Sequence, residues 1–484
     1  MDVRAEIVRI PTLSLAIAVA TACVVNPATG KRQFSLVSES DEIQIGRETD
    51  RVIVEQMGLY GGDELQGYVR QVGERLAAVS ERPQLDWTFR VVDDPQVNAF
   101  ALPGGYIYIT RGILAYLQSE AELATVVGHE IGHVTARHGA DQMTKAQLTQ
   151  AGLVLGTALG PDWARGLSDY AQIGAGLMMM KFGRDDERQA DELGLRYMLA
   201  ADYDARPAAG VFDMLDRVSA ASGGGGTPAW LSTHPAPANR SQNMQAAVVS
   251  LERDFSDSKV GRQEYLVHID GIVFGSDPRE GYFTDQRFIH PQLRFRIDFP
   301  SGWTTSNTRA AVSGTSPGND AVVAISHAAG SSRERALESF IAQEGIAGGS
   351  YWRDAVGGVP VSARGFSATS GQGAVRGIVM FVERESTVLR VIGYSLDPAW
   401  GANRAAIEGA LASYAVVTDP AALGVEPARV RVVDAPSSGS LGQFARQTGA
   451  TASVEQLALL NRMPVDGSVV AGRPYKTVTG GPAR

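Results

Sequence analysis

Two histidines four residues apart are the feature of this chain with the clearest chemical potential. They stand in the motif His129-Glu130-Ile131-Gly132-His133, within a stretch whose apolar residues recur at helical spacing. Residues four apart lie on one face of a helix, so both imidazoles can bind one ion. Glu130 lies beside that face, where it can take a proton from water. Two neutral nitrogens, one carboxylate and an open position for water are typical of a hydrolytic zinc site.

The third ligand of such a site must come from elsewhere in the chain. In one known arrangement a further histidine stands six residues after the second, with a glycine midway. Gly139 and Ala136 occupy those positions here, so that arrangement is excluded. The other choice is a carboxylate on a later helix, and Glu187 is the predicted zinc ligand. Asp191, one turn further on, is predicted to hold a ligating imidazole by its other N–H. A solvated charged face is the alternative for this pair.

Several elements must position these side chains. Apolar periodicity predicts helices over 41–80 and about 185–199, and alternating residues predict strands over 87–110. The helix that carries the two histidines is predicted to begin near Ser119, because Ser119 with Glu122 three residues on is typical of a capping box.

Two glycines lie within that predicted motif helix. Gly128 and Gly132 each lower helix propensity by about 1 kcal/mol relative to alanine. Small residues at these positions would allow another backbone to approach the motif helix closely.

The chain as a whole is predicted to be an α+β protein of several domains. Its 484 residues are too many for one ordinary core. The predicted divisions are a signal peptide over 1–22, a mainly helical metal-binding domain with a small sheet over 23–262, a β-rich α+β domain of unknown role over 263–425, and a small strand-helix-helix-strand module over 426–484.

The N-terminal segment has the pattern of an export signal. A short apolar run ends in Ala20-Thr21-Ala22-Cys23, where small residues precede the single cysteine of the chain. This resembles a bacterial lipobox and predicts lipidation at Cys23. Val24, rather than aspartate, favours the outer membrane by resemblance to enterobacterial lipoproteins. An ordinary cleaved signal with an unrelated cysteine is the alternative.

Composition and charge limit the classes of partner. Hydrophobic residues make up 44% and charged residues 20%, which indicates a globular rather than a disordered chain. The formal net charge of -9 argues against a nucleic-acid partner, since phosphate binding needs a basic surface.

Five stretches together form a pattern that is more specific than any one of them. They are Asn26-Pro27-Ala28-Thr29-Gly30-Lys31-Arg32, Val97-Asn98-Ala99-Phe100-Ala101-Leu102-Pro103-Gly104-Gly105, the motif itself, Glu187-x-x-Ala190-Asp191, and Ser232-Thr233-His234-Pro235 with Arg240. They span about 23–245 and resemble the BepA-like periplasmic zinc metalloproteases, gluzincins grouped with HtpX and the prenyl-protein processing protease. The resemblance implies a zincin-type fold and a zinc-dependent endopeptidase with one Zn²⁺ per chain.

The resemblance also implies roles for residues that spacing alone does not assign. His129, His133 and Glu187 would be the ligands and Glu130 the general base. His234 would lie near the metal, where it can occupy the open position and hold the enzyme latent. Without the family, His234 would be taken for a loop histidine before proline.

Further roles concern the oxyanion and the substrate. Arg240 and His138 are predicted to stabilise a tetrahedral oxyanion, which needs a fixed positive donor. The strand around Asn98, Ala99 and Phe100 is predicted to be an edge strand along the cleft, to which a substrate peptide adds by backbone pairing. An internal strand with no exposed edge is the alternative.

The C-terminal half departs from the BepA pattern, because no helical repeats follow residue 260 and partner docking does not carry over. Residues 429–478 resemble a LysM-type module through Leu441-x-x-Phe444-Ala445 and Leu457-x-Leu459-Leu460-Asn461, which implies peptidoglycan as a partner.

The predicted substrates are misfolded or unassembled cell-envelope proteins, and the predicted location is the periplasm, at the outer membrane. The alternatives are a chaperone-like scaffold and a peptidoglycan-associated binding protein of the envelope.

Overall fold

The structure, a computed structural model, describes residues 23–156, 181–221, 229–235, 239–370 and 373–481. The predicted signal peptide therefore lies outside the described residues. The described residues form two compact units. The first unit comprises the chain up to Ile272 together with Val430–Thr477, and the second unit comprises Val273–Arg429 with the last residues from Val478. The division into three domains after the signal stays a prediction.

The N-terminal part of the first unit is mainly helical. Its helices are α1 (Glu39–Met57), α2 (Asp63–Ala77), α3 (Arg111–Tyr116), α4 (Glu120–Thr135), α5 (His138–Gly156), α6 (Arg184–Ala200), α7 (Ala208–Ala221), α8 (Ala229–Thr233), α9 (Arg240–Ser250) and α10 (Arg262–Ile269). Its strands are β1 (Cys23–Val25), β2 (Arg32–Phe34), β3 (Thr88–Val92), β4 (Ala99–Leu102) and β5 (Tyr106–Thr110). Within the described part of the chain, every helix is too short or too polar to cross a membrane.

A three-stranded sheet lies beside the motif helix α4. β5 is its central strand, parallel to β3 and antiparallel to β4. Most residues of the three strands are buried, including four successive residues of β5, which suits a sheet covered on both faces. The order β3-β5-β4 places β4 at one edge of the sheet among the described strands, while its pairing with a substrate stays a prediction.

The N-terminus of α4 is capped as predicted on one side only. The Ser119 hydroxyl accepts a hydrogen bond from the Glu122 backbone N–H. The Glu122 carboxylate does not reach back to Ser119; instead it accepts from the backbone N–H of Gln118 at 2.6 Å. The predicted reciprocal capping box is thus replaced by a carboxylate that faces the preceding turn.

Helices α4 and α6 cross with almost no side chain between them. A Cβ on Gly132 would lie 2.9 Å from the Ala190 carbonyl oxygen, and a Cβ on Gly194 would lie 2.9 Å from the His129 backbone nitrogen. The small residues predicted to admit another backbone do so. This close crossing brings Glu187 and Asp191 to the histidine face of α4.

The second unit is β-rich, as predicted. Its strands are β6 (Tyr282–Thr284), β7 (Arg287–His290), β8 (Phe295–Asp298), β9 (Thr304–Asn307), β10 (Ala311–Thr315), β11 (Ala321–Ala328), β12 (Ile346–Tyr351), β13 (Ala355–Val356), β14 (Val359–Pro360), β15 (Ser362–Ser370), β16 (Gly373–Arg384), β17 (Thr387–Leu396) and β18 (Ala415–Val416). Its α-helices are α11 (Arg333–Ile341), α12 (Trp400–Ala412) and α13 (Pro420–Leu423). A seven-stranded sheet in the order β12-β15-β16-β17-β11-β10-β9 forms its centre.

The C-terminal segment has the predicted order of strand, helix, helix and strand. Its elements are β19 (Arg429–Asp434), β20 (Gly439–Ser440), α14 (Leu441–Gln447), α15 (Val454–Leu460), β21 (Ser468–Val469) and β22 (Pro474–Thr479). β19 pairs with β22, and Leu441, Phe444, Leu457 and Leu460 are buried between the elements. The mixed architecture agrees with the predicted α+β class, whereas the LysM assignment stays a prediction.

Candidate metal centre

Four side chains from three elements converge on one buried space. They are His129 and His133 of α4, Glu187 of α6, and His234 just after α8, and one ligand atom of each lies within 4.8 Å of the others. His129 Nε2 is 3.0 Å from His133 Nε2 and 3.4 Å from His234 Nδ1. The Glu187 carboxylate lies 3.5 Å from both motif imidazoles and 2.9 Å from His234 Nδ1.

These separations suit a single metal ion. Four N and O ligands held about 2.0–2.2 Å from a tetrahedral ion stand roughly 3.3–3.6 Å apart, which is close to the spacings observed. Glu187 Oε2 is buried and accepts no hydrogen bond, although Arg240 Nη1 lies 3.2 Å from it, so it keeps a lone pair with which to bind an ion. The donor set of imidazoles and one carboxylate therefore fits a metal, and the described residues show no other such cluster.

The imidazole of His129 is fixed from behind by a carboxylate. Its Nδ1 is 2.9 Å from Asp191 Oδ1, so Nδ1 carries the proton and Nε2 presents its lone pair to the shared space. Arg240 in turn donates to both oxygens of Asp191, from Nε at 2.8 Å and from Nη2 at 2.6 Å. Its Nη1 also lies 3.2 Å from Glu187 Oε2. The guanidinium of Arg240 stacks over the ring of Phe212, with Cζ 4.2 Å from the ring centroid.

The imidazole of His133 is fixed by a second chain of hydrogen bonds. Its Nδ1 is 2.9 Å from His138 Nδ1, and His138 Nε2 is 2.9 Å from Gln189 Oε1. The Gln189 oxygen can only accept, so His138 carries its proton on Nε2 and accepts at Nδ1. His133 then donates from Nδ1, which leaves Nε2 free to bind a metal.

Burial governs the charge of the two motif histidines. Loss of solvation lowers the pKa of His129 and lowers that of His133 far below its usual value, with nearby positive charge adding to the effect. Both rings are therefore neutral near pH 7, which is the form that binds metal. Burial likewise raises the pKa of Glu130 to about 7, and both of its oxygens lack a hydrogen-bond partner.

Two neighbouring groups, Asp191 and His234, have pKa shifts that favour their charged forms. Burial alone would raise the pKa of Asp191, but the Arg240 guanidinium and the His129 hydrogen bond outweigh it and lower the pKa to about 2. Burial would lower the pKa of His234, yet the Glu187 and Glu130 carboxylates raise it. His234 Nε2 stands 3.6 Å from Glu130 Oε1.

The remaining predicted residues are placed as follows. Arg240 is engaged by Asp191 and Glu187, and His138 stands behind His133, so their predicted contact with an oxyanion stays a prediction. Asn98 precedes the edge strand β4, is buried, and has a side-chain oxygen without a hydrogen-bond partner. Cys23 begins β1, away from this cluster in sequence.

Several residues at the site were missed by the sequence analysis. Trp230 stacks on His234 with ring centroids 4.4 Å apart, and Phe182 stacks on His133 at 4.0 Å. Trp230 precedes His234 by four residues, a spacing that could have indicated the contact. Gln189 and Phe182 carry no such signal, because they meet their histidines only through the tertiary fold.

Comparison with known proteins assigns the class and family. Residues 63–248 match the family described as Peptidase family M48. The chain is 32% identical over 240 residues to "Mitochondrial metalloendopeptidase OMA1" of Schizosaccharomyces pombe, covering 48% of this chain and 68% of that protein. It is 35% identical over 196 residues to the Arabidopsis thaliana protein of the same name, covering 39% of this chain and 38% of that one.

A bacterial relative is also similar. The "Beta-barrel assembly-enhancing protease" of Escherichia coli is 28% identical over 245 residues, covering 47% of this chain and 50% of that protein. The solved structure of cyanobacterial PsbP from Synechocystis covers 27% of this chain at 13% identity with a TM-score of 0.22, which supports no argument. The chain spans half or less of the Arabidopsis and E. coli relatives.

The fold, the ligand cluster and these relatives define a metallopeptidase. The chain belongs to peptidase family M48. The predicted enzyme class and a metal-dependent site are thereby confirmed at the level of the family.

Proposed function

We propose that this protein is a zinc-dependent endopeptidase that hydrolyses peptide bonds of misfolded or unassembled cell-envelope proteins. The convergence of His129, His133 and Glu187, with Glu130 buried beside them, carries the proposal. Relatives named as metalloendopeptidases and as an assembly-enhancing protease support both the reaction and a protein substrate. Two imidazoles and one carboxylate favour zinc over the harder cations magnesium and calcium, which prefer oxygen ligands.

The chain's own groups would divide the reaction between them. A zinc ion held by the two motif histidines and Glu187 would polarise the attacking water and the scissile carbonyl. Glu130 would take a proton from the water and return it to the departing amine. Arg240 is proposed to stabilise the oxyanion, and His138 would do so by exchanging its hydrogen bond to Gln189 for one to the oxyanion. An extended substrate would pair with β4 beside Asn98, Ala99 and Phe100.

His234 is proposed to hold the site latent. Its Nδ1 lies among the ligand atoms, 2.9 Å from Glu187 and 3.4 Å from His129. A fourth protein ligand would fill the position that a water needs, since catalytic zinc sites keep one position open. Stacking on Trp230 holds the ring in place, so activation would require the end of α8 to move.

Location and further partners are part of the same proposal. Cys23 would carry a lipid anchor at the outer membrane, with the protein in the periplasm, and 429–478 would contact peptidoglycan. The substitution Cys23→Ser should abolish incorporation of labelled palmitate and release the protein from the membrane fraction. Retention of label and membrane association by Cys23→Ser would overturn the anchor.

Casein digestion tests the reaction directly. Glu130→Gln keeps the size of the side chain but removes the base, so the rate should fall by about 100-fold or more. Chelation should abolish the rate of the parent, and added zinc should restore it. Glu192→Gln is the matched control, because Glu192 is an exposed carboxylate on α6. This variant should digest casein at the rate of the parent. Equal and chelator-insensitive rates for Glu130→Gln and its parent would exclude a metalloprotease.

The same assay tests latency. His234→Ala opens the fourth position, so digestion should be faster than that of the parent at equal zinc content. Trp230→Phe, which keeps an aromatic ring against His234, should stay close to the parent. A rate for His234→Ala at or below that of the parent contradicts the latent state.

The two alternatives predict different outcomes. If the protein is a chaperone-like scaffold, the Glu130→Gln variant and the zinc-free parent should suppress aggregation of unfolded proteins as well as the zinc-loaded parent does. A peptidoglycan-associated binding protein would sediment with purified sacculi and digest no protein.

A further inference from the structure

The C-terminal segment Val430–Thr477 contacts the turn that leads into the motif helix. This turn, residues 117–119, connects α3 to α4. The contacts come from the end of α15 and from β22, and they include two basic side chains, of which Lys476 is buried and Arg462 largely buried. A module that only tethers the protein to a ligand would need no buried charge against the rest of its unit.

Lys476 supplies the first of these contacts. Its side chain is buried, and its Nζ donates to the carbonyl oxygen of Ala115 at 2.8 Å and also to that of Leu117. These carbonyls end α3 and have no partner within that helix, so Lys476 Nζ caps them. Asn461 fixes the backbone of Lys476 through two hydrogen bonds of 2.8 Å.

Arg462 supplies the second contact. Its Nη1 donates to Glu122 Oε1 at 2.7 Å, in the first turn of the motif helix, where both side chains are largely buried. The other oxygen of Glu122 accepts a hydrogen bond from the backbone N–H of Gln118. The side-chain amide of Gln118 donates to the carbonyl oxygen of Leu460 at 2.6 Å. The first turn of α4 is thus bound to the end of α15 by three linked groups.

We propose that Val430–Thr477 is a positioning element of the metal centre, in which Arg462 and Lys476 fix the start of the motif helix. His129 and His133 follow Glu122 on the same helix by seven and eleven residues, and a helix transmits displacement of its first turn along its length. α3 directly follows β5, so the same contacts also set the motif helix relative to the sheet that carries β4. Arg462 and Lys476 act through the helix and touch no reacting atom.

The test compares full-length variants. Arg462→Gln leaves the Glu122 carboxylate buried without its cation, and kcat for casein should fall about tenfold because catalysis depends steeply on geometry. KM and bound zinc per chain should remain those of the parent, and amide hydrogen exchange over 119–127 should become faster. Arg462→Lys, which restores a cation, should recover part of kcat. Arg446→Gln alters an exposed arginine of the same segment and should change nothing.

A milder variant guards against loss of folding. Gln118→Ala removes the side-chain bonds to Leu460, Tyr116 and Arg262 but keeps the Arg462–Glu122 pair, and it should give the same changes to a smaller degree. Unchanged kcat and unchanged exchange over 119–127 in both Arg462→Gln and Gln118→Ala would overturn the proposal. So would a kcat that falls only in proportion to zinc lost or protein unfolded. If the parent cleaves nothing, the proposed function fails, while the exchange measurement still decides the positioning role.

Discussion

At the scale of single residues, Asp191 should tune how tightly the site holds its metal. Its carboxylate accepts from His129 and makes that imidazole a stronger ligand, while Arg240 keeps the carboxylate in place. Asp191→Asn should weaken zinc binding about 10- to 100-fold, since such supporting groups commonly have effects of that size. Competition with a chromophoric chelator measures the affinity.

Glu192→Gln provides the comparison for this prediction, because it changes the adjacent, exposed carboxylate in the same way. An Asp191→Asn protein with the zinc affinity of the Glu192→Gln protein would show that the carboxylate only supports the fold.

The residues of the metal centre differ in how much of their role could be predicted from the sequence. His129, Glu130 and His133 follow from helical periodicity, because four-residue spacing alone places the two imidazoles on one face. Glu187 needed the added argument that a third ligand was missing. The hydrogen bond from His138 to Gln189 could not be predicted, since it joins two helices whose packing no local pattern specifies.

At the scale of elements, the crossing of α4 and α6 determines whether the ligands meet. A methyl group on Gly194 would stand 2.9 Å from the His129 nitrogen and 3.0 Å from the Gly128 carbonyl carbon, both of them backbone atoms that cannot yield. Gly194→Ala should therefore separate the helices, lower the free energy of unfolding by about 1–3 kcal/mol and weaken zinc binding. Urea unfolding and chelator competition measure the two effects.

Gly67→Ala is the control, because a methyl group there meets nothing nearer than an Arg70 nitrogen at 3.9 Å. Its helix should gain about 0.5–1 kcal/mol instead. A Gly194→Ala protein that matches Gly67→Ala in stability and zinc affinity would contradict the role of the close crossing.

The elements themselves were largely predictable, whereas their partners were not. Ser119 indicated the start of α4, and Gly128 and Gly132 indicated a close neighbour. The sequence did not specify α6 as that neighbour, nor that the Glu122 carboxylate would bind Gln118 and Arg462. The Glu122–Arg462 pair joins residues 340 apart in the chain, and the contact of α4 with α6 joins residues such as His129 and Asp191, which are 62 apart. Periodicity within one segment specifies neither contact.

At the scale of the whole molecule, the two units offer a built-in comparison for metal removal. Among the described residues the ligand cluster lies in the first unit, so zinc should stabilise that unit and leave the second unchanged. A ligand present at 100 times its dissociation constant adds about 2.7 kcal/mol to the state that binds it. Removal of the metal should then lower the unfolding temperature of the first unit by roughly 5–10 °C.

Hydrogen exchange during heating can assign each transition to its peptides, so the second unit, Val273–Arg429, acts as the internal reference. Peptides from Val430–Thr477 should lose protection together with those of α4, because Arg462 and Lys476 join them. The His129→Ala protein should show the lower temperature with or without zinc, since it lacks a ligand. Equal shifts in both units, or a shift that survives in His129→Ala, would mean that zinc stabilises the protein at some other place than this centre.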